Sequence, residues 1–216
     1  MNYVFGCNAQ FSETELDKMY QDAFGYKTDG VFVEVGAYTG VDISHTRALA
    51  LLGWRGVLVE PIHQFAEECR KNNKDHPNIT VIECAAGAHN GNQVMYWDNR
   101  QHDLIGATLN LAAVSDDHKQ LGVQVRTLDD ILESERILPG FDLLSIDVEF
   151  GEEQVLDGLT LDRWLPKMVI IELHEMEPGP KSALSKPAAD RCNSLFWQCH
   201  YRKVYADKIN SIFVRA

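Results

Sequence analysis

The chain is short of positive charge. Its 216 residues carry 20 Lys and Arg against 32 Asp and Glu, a formal net charge of −12. Gripping a nucleic-acid backbone relies on Lys and Arg displacing counterions, so no nucleic-acid partner is expected. The one short basic cluster, "HYRKVY" at 200–205, reads as the solvated face of a late strand. Long apolar runs are also missing. Nothing approaches 18 uninterrupted apolar residues, so no membrane span or membrane partner is expected. The opening "MNYVFGCNAQFSETELDK" has neither the basic start nor the apolar core of a secretory signal. The five cysteines, Cys7, Cys69, Cys84, Cys192 and Cys199, are odd in number and form no C-x-x-C. A disulfide framework or a zinc site needs paired or tighter spacing. Free thiols in a reducing cytoplasm are the expectation, with Cys84 packed as a small hydrophobe. Repeats, low-complexity tracts and dividing linkers are absent too, and the length suits one domain over 1–216.

What is present alternates strand and helix, the pattern of an α/β fold with a mostly parallel sheet. Residues 1–30 read as a helical extension, its helix starting at Ser12 with Glu15 closing a capping box and Gly25 as a stop. The core, 31–216, opens on the strand Val31 to Val35. A helix from Asp42 or Ser44 to Leu52 follows, then the strand "GVLVE", the helix "IHQFAEECRKNN" and the strand "ITVIECA". From Ala86 to Gly122 the pattern is weak: "NQVMYW" and "VQVRT" read as short strands around a long loop, and long loops in compact domains are often functional. Thr127 caps a short helix. "FDLLSIDVE" and "KMVIIELHE" are nearly continuous in apolar residues, as strands covered on both faces should be, and "EEQVLDGL" between them is helical. "PGPKSALSKP" reads as a loop before a helix from Ala188 to Cys199. "YRKVYAD" and "NSIFVRA" form a terminal hairpin turning at Asp207 and Lys208.

Ligands of open parallel sheets bind outside the C-terminal strand ends, and here those ends are acidic: Glu34, then Glu60, then Asp147 and Glu149, then Glu172, His174 and Glu175. Several carboxylates around one crevice are costly to bury unless hydrogen bonds, cations or a metal partner them. The turn "GAYTG" has glycines at Gly36 and Gly40, whereas a pyrophosphate turn needs G-x-G-x-x-G. Tyr38 occupies the position of the second glycine, which fits a pyrophosphate badly and tolerates an aminoacyl tail. Glu60 stands 24 residues after Gly36, near the spacing at which a carboxylate accepts both hydroxyls of an adenosine ribose.

Together, "VFVEVGAYTGVDISHT", "GWRGVLVEP", "VRTLDDIL", "DLLSIDVEFGEEQVLDG" and "VIIELH" resemble, in order, the motifs of the FkbM family of S-adenosylmethionine-dependent methyltransferases. The resemblance spans Val31 to Glu175 and suits the terminal "INSIFVR". It implies a Rossmann-like class I methyltransferase fold: a mostly parallel seven-stranded sheet with an antiparallel C-terminal hairpin and helices on both faces. It implies that Glu34, Gly36, Ala37, Tyr38 and Gly40 line the methionine end of the cofactor. Glu60, Pro61 and Ile62 would hold the ribose and adenine edge, Ala85 would pack on adenine, and Asp147 would sit near the reacting centre. Phe150 and His45 depart from the family's pattern, and both departures bear on the acceptor.

The implied reaction is methyl transfer to a small molecule, at a hydroxyl oxygen of a natural product or sugar. The protein aligns the nucleophile and excludes water, and a base helps. His174 with Glu172, and Glu149, are the candidates, completing a catalytic set with Asp147. The set Asp147, Glu149, Glu172 and His174 also offers ligands that a divalent ion could use, although no metal site is assigned. The rival readings are a nucleotide-dependent oxidoreductase, a metal-dependent hydrolase and a non-catalytic cofactor-binding module. The opening segment is available as a lid or as a contact between copies of the chain.

Overall fold

A computed structural model describes residues 13–25, 27–98, 107–110, 113–114, 116–175 and 180–216. The expected Ser12–Glu15 capping box lies outside the described residues and side chains. The core is a seven-stranded sheet in the order β3-β2-β1-β7-β8-β10-β9. Its parallel part comprises β3 (Ile79–Ile82), β2 (Arg55–Val59), β1 (Val31–Val35), β7 (Leu143–Ile146) and β8 (Met168–Glu172). The strand β10 (Asn210–Arg215) pairs antiparallel with β8, and β9 (Tyr201–Ala206) closes the edge antiparallel to β10. The Asp207 carboxylate accepts from the N–H groups of Ile209 and Asn210 at 2.8 and 2.7 Å and builds the expected turn.

Alternation along the strands sorts side chains onto two covered faces. Val33, Val57, Leu144 and Val169 meet α4 (Leu128–Ser134), α5 (Glu152–Asp157), α6 (Leu161–Trp164) and α7 (Pro180–Gln198). Phe32, Leu58, Leu143 and Ile170 meet α1 (Glu13–Phe24), α2 (Arg47–Leu51) and α3 (His63–Asn72). Each large apolar side chain so buried is worth about 1.5–3 kcal/mol. Leu16 and Tyr20 of α1 belong to that second core, so this helix is a cover of the sheet, not a detachable lid. No helix among the described residues is long and apolar enough to cross a membrane.

Three elements differ from the sequence expectation. Helix α2 begins at Arg47, later than Asp42 or Ser44, because Ser44, His45 and Thr46 leave the helical path to bond Glu34. The strand "ITVIECA" is broken: after β3, Ala85–Ala86 forms β4 and joins β6 (His118–Arg126) and β5 (Gly91–Asp98) in a separate three-stranded sheet. The short strands expected at "NQVMYW" and "VQVRT" are present and longer than expected, as β5 and β6, and they form a hairpin paired from Gly91↔Val125 to Asp98↔His118. Val94, Met95, Tyr96 and Trp97 of β5 follow one another without alternating with polar residues, so the strand carries no clean period-2 signal, although Met95 is buried in one apolar cluster with Val123 and Val125 of β6. The proline-punctuated stretch is helical: α7 starts at Pro180 and continues through Pro187. A proline in the first turn forfeits no hydrogen bond, and an interior one bends a helix without ending it when packing holds both sides.

Candidate active site

The chain runs from β1 outward to β2 and β3, then crosses to β7 and β8. The switch leaves a crevice at the C-terminal ends of β1 and β7, where open sheets bind ligands. Beyond β1, Gly36 and Ala37 both donate to the Val59 carbonyl, at 2.9 and 3.0 Å. Gly36 has φ +83°, and a Cβ there would lie 1.7 Å from the Asp147 carbonyl oxygen, so only glycine lets β1 and β7 approach at this point. Tyr38 follows at φ +49°. Its N–H donates to Glu60 Oε2 at 2.9 Å, and the Ile62 N–H donates to Oε1 at 2.8 Å. One carboxylate thereby joins the turn after β1 to the approach to α3. Burial pushes Glu60 up to about 7 against the pull of these two amides.

Glu34 points to the α1–α2 side and is fully engaged. Ser44 and Thr46 hydroxyls donate to Oε2 at 2.8 and 2.7 Å, and the His45 N–H donates to Oε1 at 2.8 Å. Burial pushes its carboxyl up to about 7, while those donors pull it down. The Tyr20 hydroxyl donates to the His45 carbonyl at 2.9 Å, and His45 Nδ1 lies 2.9 Å from Ser145 Oγ. Burial pushes the His45 imidazole down to about 4, so it is neutral at physiological pH.

Carboxyl groups from β7 and β8 meet at the other end of the crevice. Asp147, Glu149 and Glu172 place one oxygen each within 4.8 Å of one another. Burial first, then the neighbouring Glu172 carboxyl, hold Asp147 well above the carboxylate range. Carboxyls gathered this closely favour a shared proton, and a divalent ion would compete for the same oxygens. Behind the pair, His174 Nε2 lies 3.1 Å from Glu172 Oε1. The Phe150 ring stacks on the His174 ring at 4.7 Å and 16°, and the Phe150 carbonyl accepts from Asn110 Nδ2 at 3.2 Å. Glu149, Phe150 and His174 have φ of +57°, +70° and +49°. Non-glycine residues held there store strain, which recurs at functional sites.

Between these ends lies a cavity of about 220 Å³. Its described lining includes six carboxyl side chains (Glu34, Asp42, Glu60, Asp147, Glu149 and Glu172) and no Lys or Arg. The wall next to Glu60 is apolar: Ile62, Phe65, Ala85, Met95 and Ala107 line it and pack in one cluster. Tyr38 meets Phe65 edge-on at 4.4 Å.

A family model described as the methyltransferase FkbM domain matches residues 34–203. The chain belongs to the FkbM methyltransferase family. It is an S-adenosylmethionine-dependent methyltransferase with the class I methyltransferase fold. Among solved structures, it is similar to an O-methyltransferase from Bacillus cereus in complex with S-adenosylhomocysteine, with 16% identity, a TM-score of 0.54, and coverage of 96% of this chain and 84% of that one. It is also similar to monomeric WbdD, with 15% identity, a TM-score of 0.54, and coverage of 98% of this chain and 45% of that one. At such identities the likeness concerns the fold. Among curated protein sequences, none matches the chain.

In this methyltransferase the structure brings Glu34, Gly36, Ala37, Tyr38, Glu60, Pro61, Ile62, Ala85, Asp147, Glu149 and Glu172 to the lining of one cavity. Gly40, His174 and Glu175, all singled out from the sequence, stand outside it, and the Glu175 carboxylate accepts from Lys203 and Ser211 instead. Gly40 packs against α3, where a Cβ would meet Cys69 Sγ at 2.7 Å. His174 lies behind Glu172 in a smaller hollow with Phe150 and Glu152. Sequence reasoning missed Phe65, Met95, Ala107 and Leu109, all of which line the cavity. Met95 lies on β5, whose consecutive apolar residues do not show which of them faces the cavity. Phe65 had a signal, the apolar face of α3 immediately after Glu60.

Proposed function

We propose that this methyltransferase acts on a small molecule, a natural product or sugar, at a hydroxyl oxygen. The observation that carries the reading is the cavity's charge: six carboxyl groups and no Lys or Arg among its described lining residues. Such a lining suits a sulfonium cofactor and an acceptor rich in hydroxyl groups. It disfavours pyrophosphate cofactors, phosphorylated acceptors and nucleic acid, all of which need cations.

The donor set fits the cofactor end to end. Glu60, with one lone pair of each oxygen committed to a backbone N–H, keeps acceptor capacity for two ribose hydroxyls. Pro61 and Ile62 continue that edge, and Ala85 with the apolar wall takes adenine. Gly36, Ala37 and Tyr38 border the methionine tail, which Glu34 and Gly40 serve indirectly by fixing the neighbouring loops. The carboxyls of Asp147, Glu149 and Glu172 border the sulfonium. Bound there, S-adenosylmethionine supplies an electrophilic methyl group. The chain's own work is to hold the acceptor oxygen in line, exclude water and take the hydroxyl proton. The S-adenosylhomocysteine bound to the Bacillus cereus neighbour supports the cofactor assignment. The buried thiols Cys69, Cys84 and Cys192 suit a reducing compartment, and we place the enzyme in the cytoplasm.

Calorimetric titration of S-adenosylhomocysteine into the protein tests the cofactor half, and micromolar binding is expected. Neither heat nor a thermal shift would remove it. Labelled S-adenosylmethionine with a panel of sugars and hydroxylated natural products tests the acceptor half. Label recovered on nitrogen, or on a phosphorylated acceptor, would overturn it.

A further inference from the structure

We propose that Ile43 forms the lip of the cavity mouth and closes over the methionine tail of the bound cofactor, a binding contact that the chain holds in place with backbone strain. This rests on the functional reading above. Most of the cavity's described lining is buried or half-buried. Among those residues only Asp42 and Ile43 are exposed, Ile43 by 43%. The turn between Gly40 and Ser44 is therefore where the cavity opens to solvent. Of the large apolar side chains exposed among the described residues, Ile43 is the one that lines the cavity. A single exposed apolar residue is ordinary, but the backbone under this one is not. Ile43 has φ +52°, where a β-branched residue is a genuine outlier and where glycine, asparagine and aspartate fit far more readily.

The neighbours of Ile43 impose that conformation. On one side the Asp42 N–H donates to Thr39 Oγ1 at 3.1 Å, the Thr39 hydroxyl donates to Asp42 Oδ2 at 3.1 Å, and the Thr39 carbonyl accepts from Asn72 Nδ2 of α3 at 3.0 Å. On the other side the Ser44 hydroxyl and the His45 N–H are committed to the two oxygens of Glu34 on β1, both at 2.8 Å. One anchor is tied to α3 and the other to the sheet, and Ile43 is the residue between them that absorbs the turn. Strain of this kind persists only where the surroundings over-determine it, and it recurs at ligand clamps. The side chain so placed is an apolar surface beside the Asp42 and Glu34 carboxyls, at the mouth of the cavity. It stands apart from the apolar cluster of Ile62, Phe65, Ala85 and Met95 that takes adenine. It follows Gly36, Ala37 and Tyr38 along the same connection after β1, so the part of the cofactor within its reach is the tail. An apolar lip there covers the tail's methylene groups and keeps water from them.

The test is calorimetric titration of S-adenosylhomocysteine and, separately, of 5′-methylthioadenosine, which lacks the aminoacyl tail, into the full chain and its Ile43 variants. Ile43→Asn and Ile43→Gly both relieve the strain and remove the lip. Each should weaken S-adenosylhomocysteine about tenfold, the worth of one aliphatic side chain largely buried by the ligand. Each should leave methylthioadenosine affinity within about twofold. Ile43→Val keeps a branched apolar surface and should hold S-adenosylhomocysteine within about threefold of wild type. Urea melts of the Asn and Gly variants should show a midpoint unchanged or raised, because the left-handed strain is gone. Three results overturn the proposal: S-adenosylhomocysteine affinity that stays within about twofold in both the Asn and Gly variants, equal losses for the two ligands, or a loss that comes with a lowered urea midpoint in both. The last would make Ile43 a packing residue of the fold. Failure of the wild-type chain to bind S-adenosylhomocysteine instead overturns the functional reading beneath it.

Discussion

Glu60 and Asp147 are carboxyl groups that line the same cavity, and the chain holds them in opposite ways. Glu60 is met by two backbone amides, at 2.9 and 2.8 Å. Asp147 has other carboxyls beside it, one oxygen each of Asp147, Glu149 and Glu172 lying within 4.8 Å of one another. Backbone donors stabilise the charged form and fix it in place, which is how a group is built to bind. A like partner destabilises the charged form and makes the proton exchangeable, which is how a group is built to react. Positive φ occurs at both ends, at Tyr38 beside Glu60 and at Glu149, Phe150 and His174 beside Asp147. One cavity therefore has a binding end and a chemical end, separated by Gly36.

The largest expected effect comes from removing that separation. Gly36→Ala places a Cβ 1.7 Å from the Asp147 carbonyl oxygen at a φ of +83°, so β1 and β7 must move apart. A loss of about 3 kcal/mol or more is expected, from left-handed strain plus the backbone clash, read as a fall in the urea midpoint. A variant of wild-type stability would show that the two strand ends are not in contact. Next in size is Glu60→Gln, which keeps the shape and removes the charge. Losing a charge-assisted bond costs about 1.5–3 kcal/mol, or roughly 10- to 100-fold in S-adenosylhomocysteine affinity. Asp147→Asn should move that affinity by no more than about threefold. Equal losses for the two variants would erase the distinction between the ends.

How much of this was legible in the sequence follows from the range of the forces involved. The strands β1, β2, β7 and β8 read directly, because strands covered on both faces are apolar runs and each ends in an acid. Glu60 read directly because its distance from the turn is fixed by one helix between two strands. The long strands of the second sheet read as the short strands "NQVMYW" and "VQVRT", but their pairing into a sheet with Ala85–Ala86 did not, because the ladder partners lie far apart in the chain. The start of α2 did not, because Ser44 and Thr46 answer a carboxylate ten and twelve positions away, where local propensity is blind. Nor did the stacking of Phe150 on His174, a contact between two loops that adjacent parallel strands bring together. What the sequence hid was the set of residues meeting across the crevice.

Changing pH sharpens the comparison without a mutation, and the two observables should move in opposite directions. Glu60 and Glu34 are both pushed up from 4.5 to about 7 by burial. A carboxyl with a raised folded pKa binds more protons folded than unfolded. Its contribution to stability is thus fully present below pH 4.5 and is lost as pH rises through about 7. Ligand binding works the other way at Glu60, because ribose hydroxyls donate best to the ionised form. S-adenosylhomocysteine affinity should fall by about tenfold per pH unit below 7, and this slope should vanish in Glu60→Gln. Titrations at several pH values, beside urea melts of the ligand-free protein over the same range, read both trends. A pH slope of affinity that persists in Glu60→Gln would move the titrating group to the chemical end. A stability that instead rises with pH through 7 would mean that the amides around Glu60 and the hydroxyls around Glu34 outweigh the cost of burying their charge.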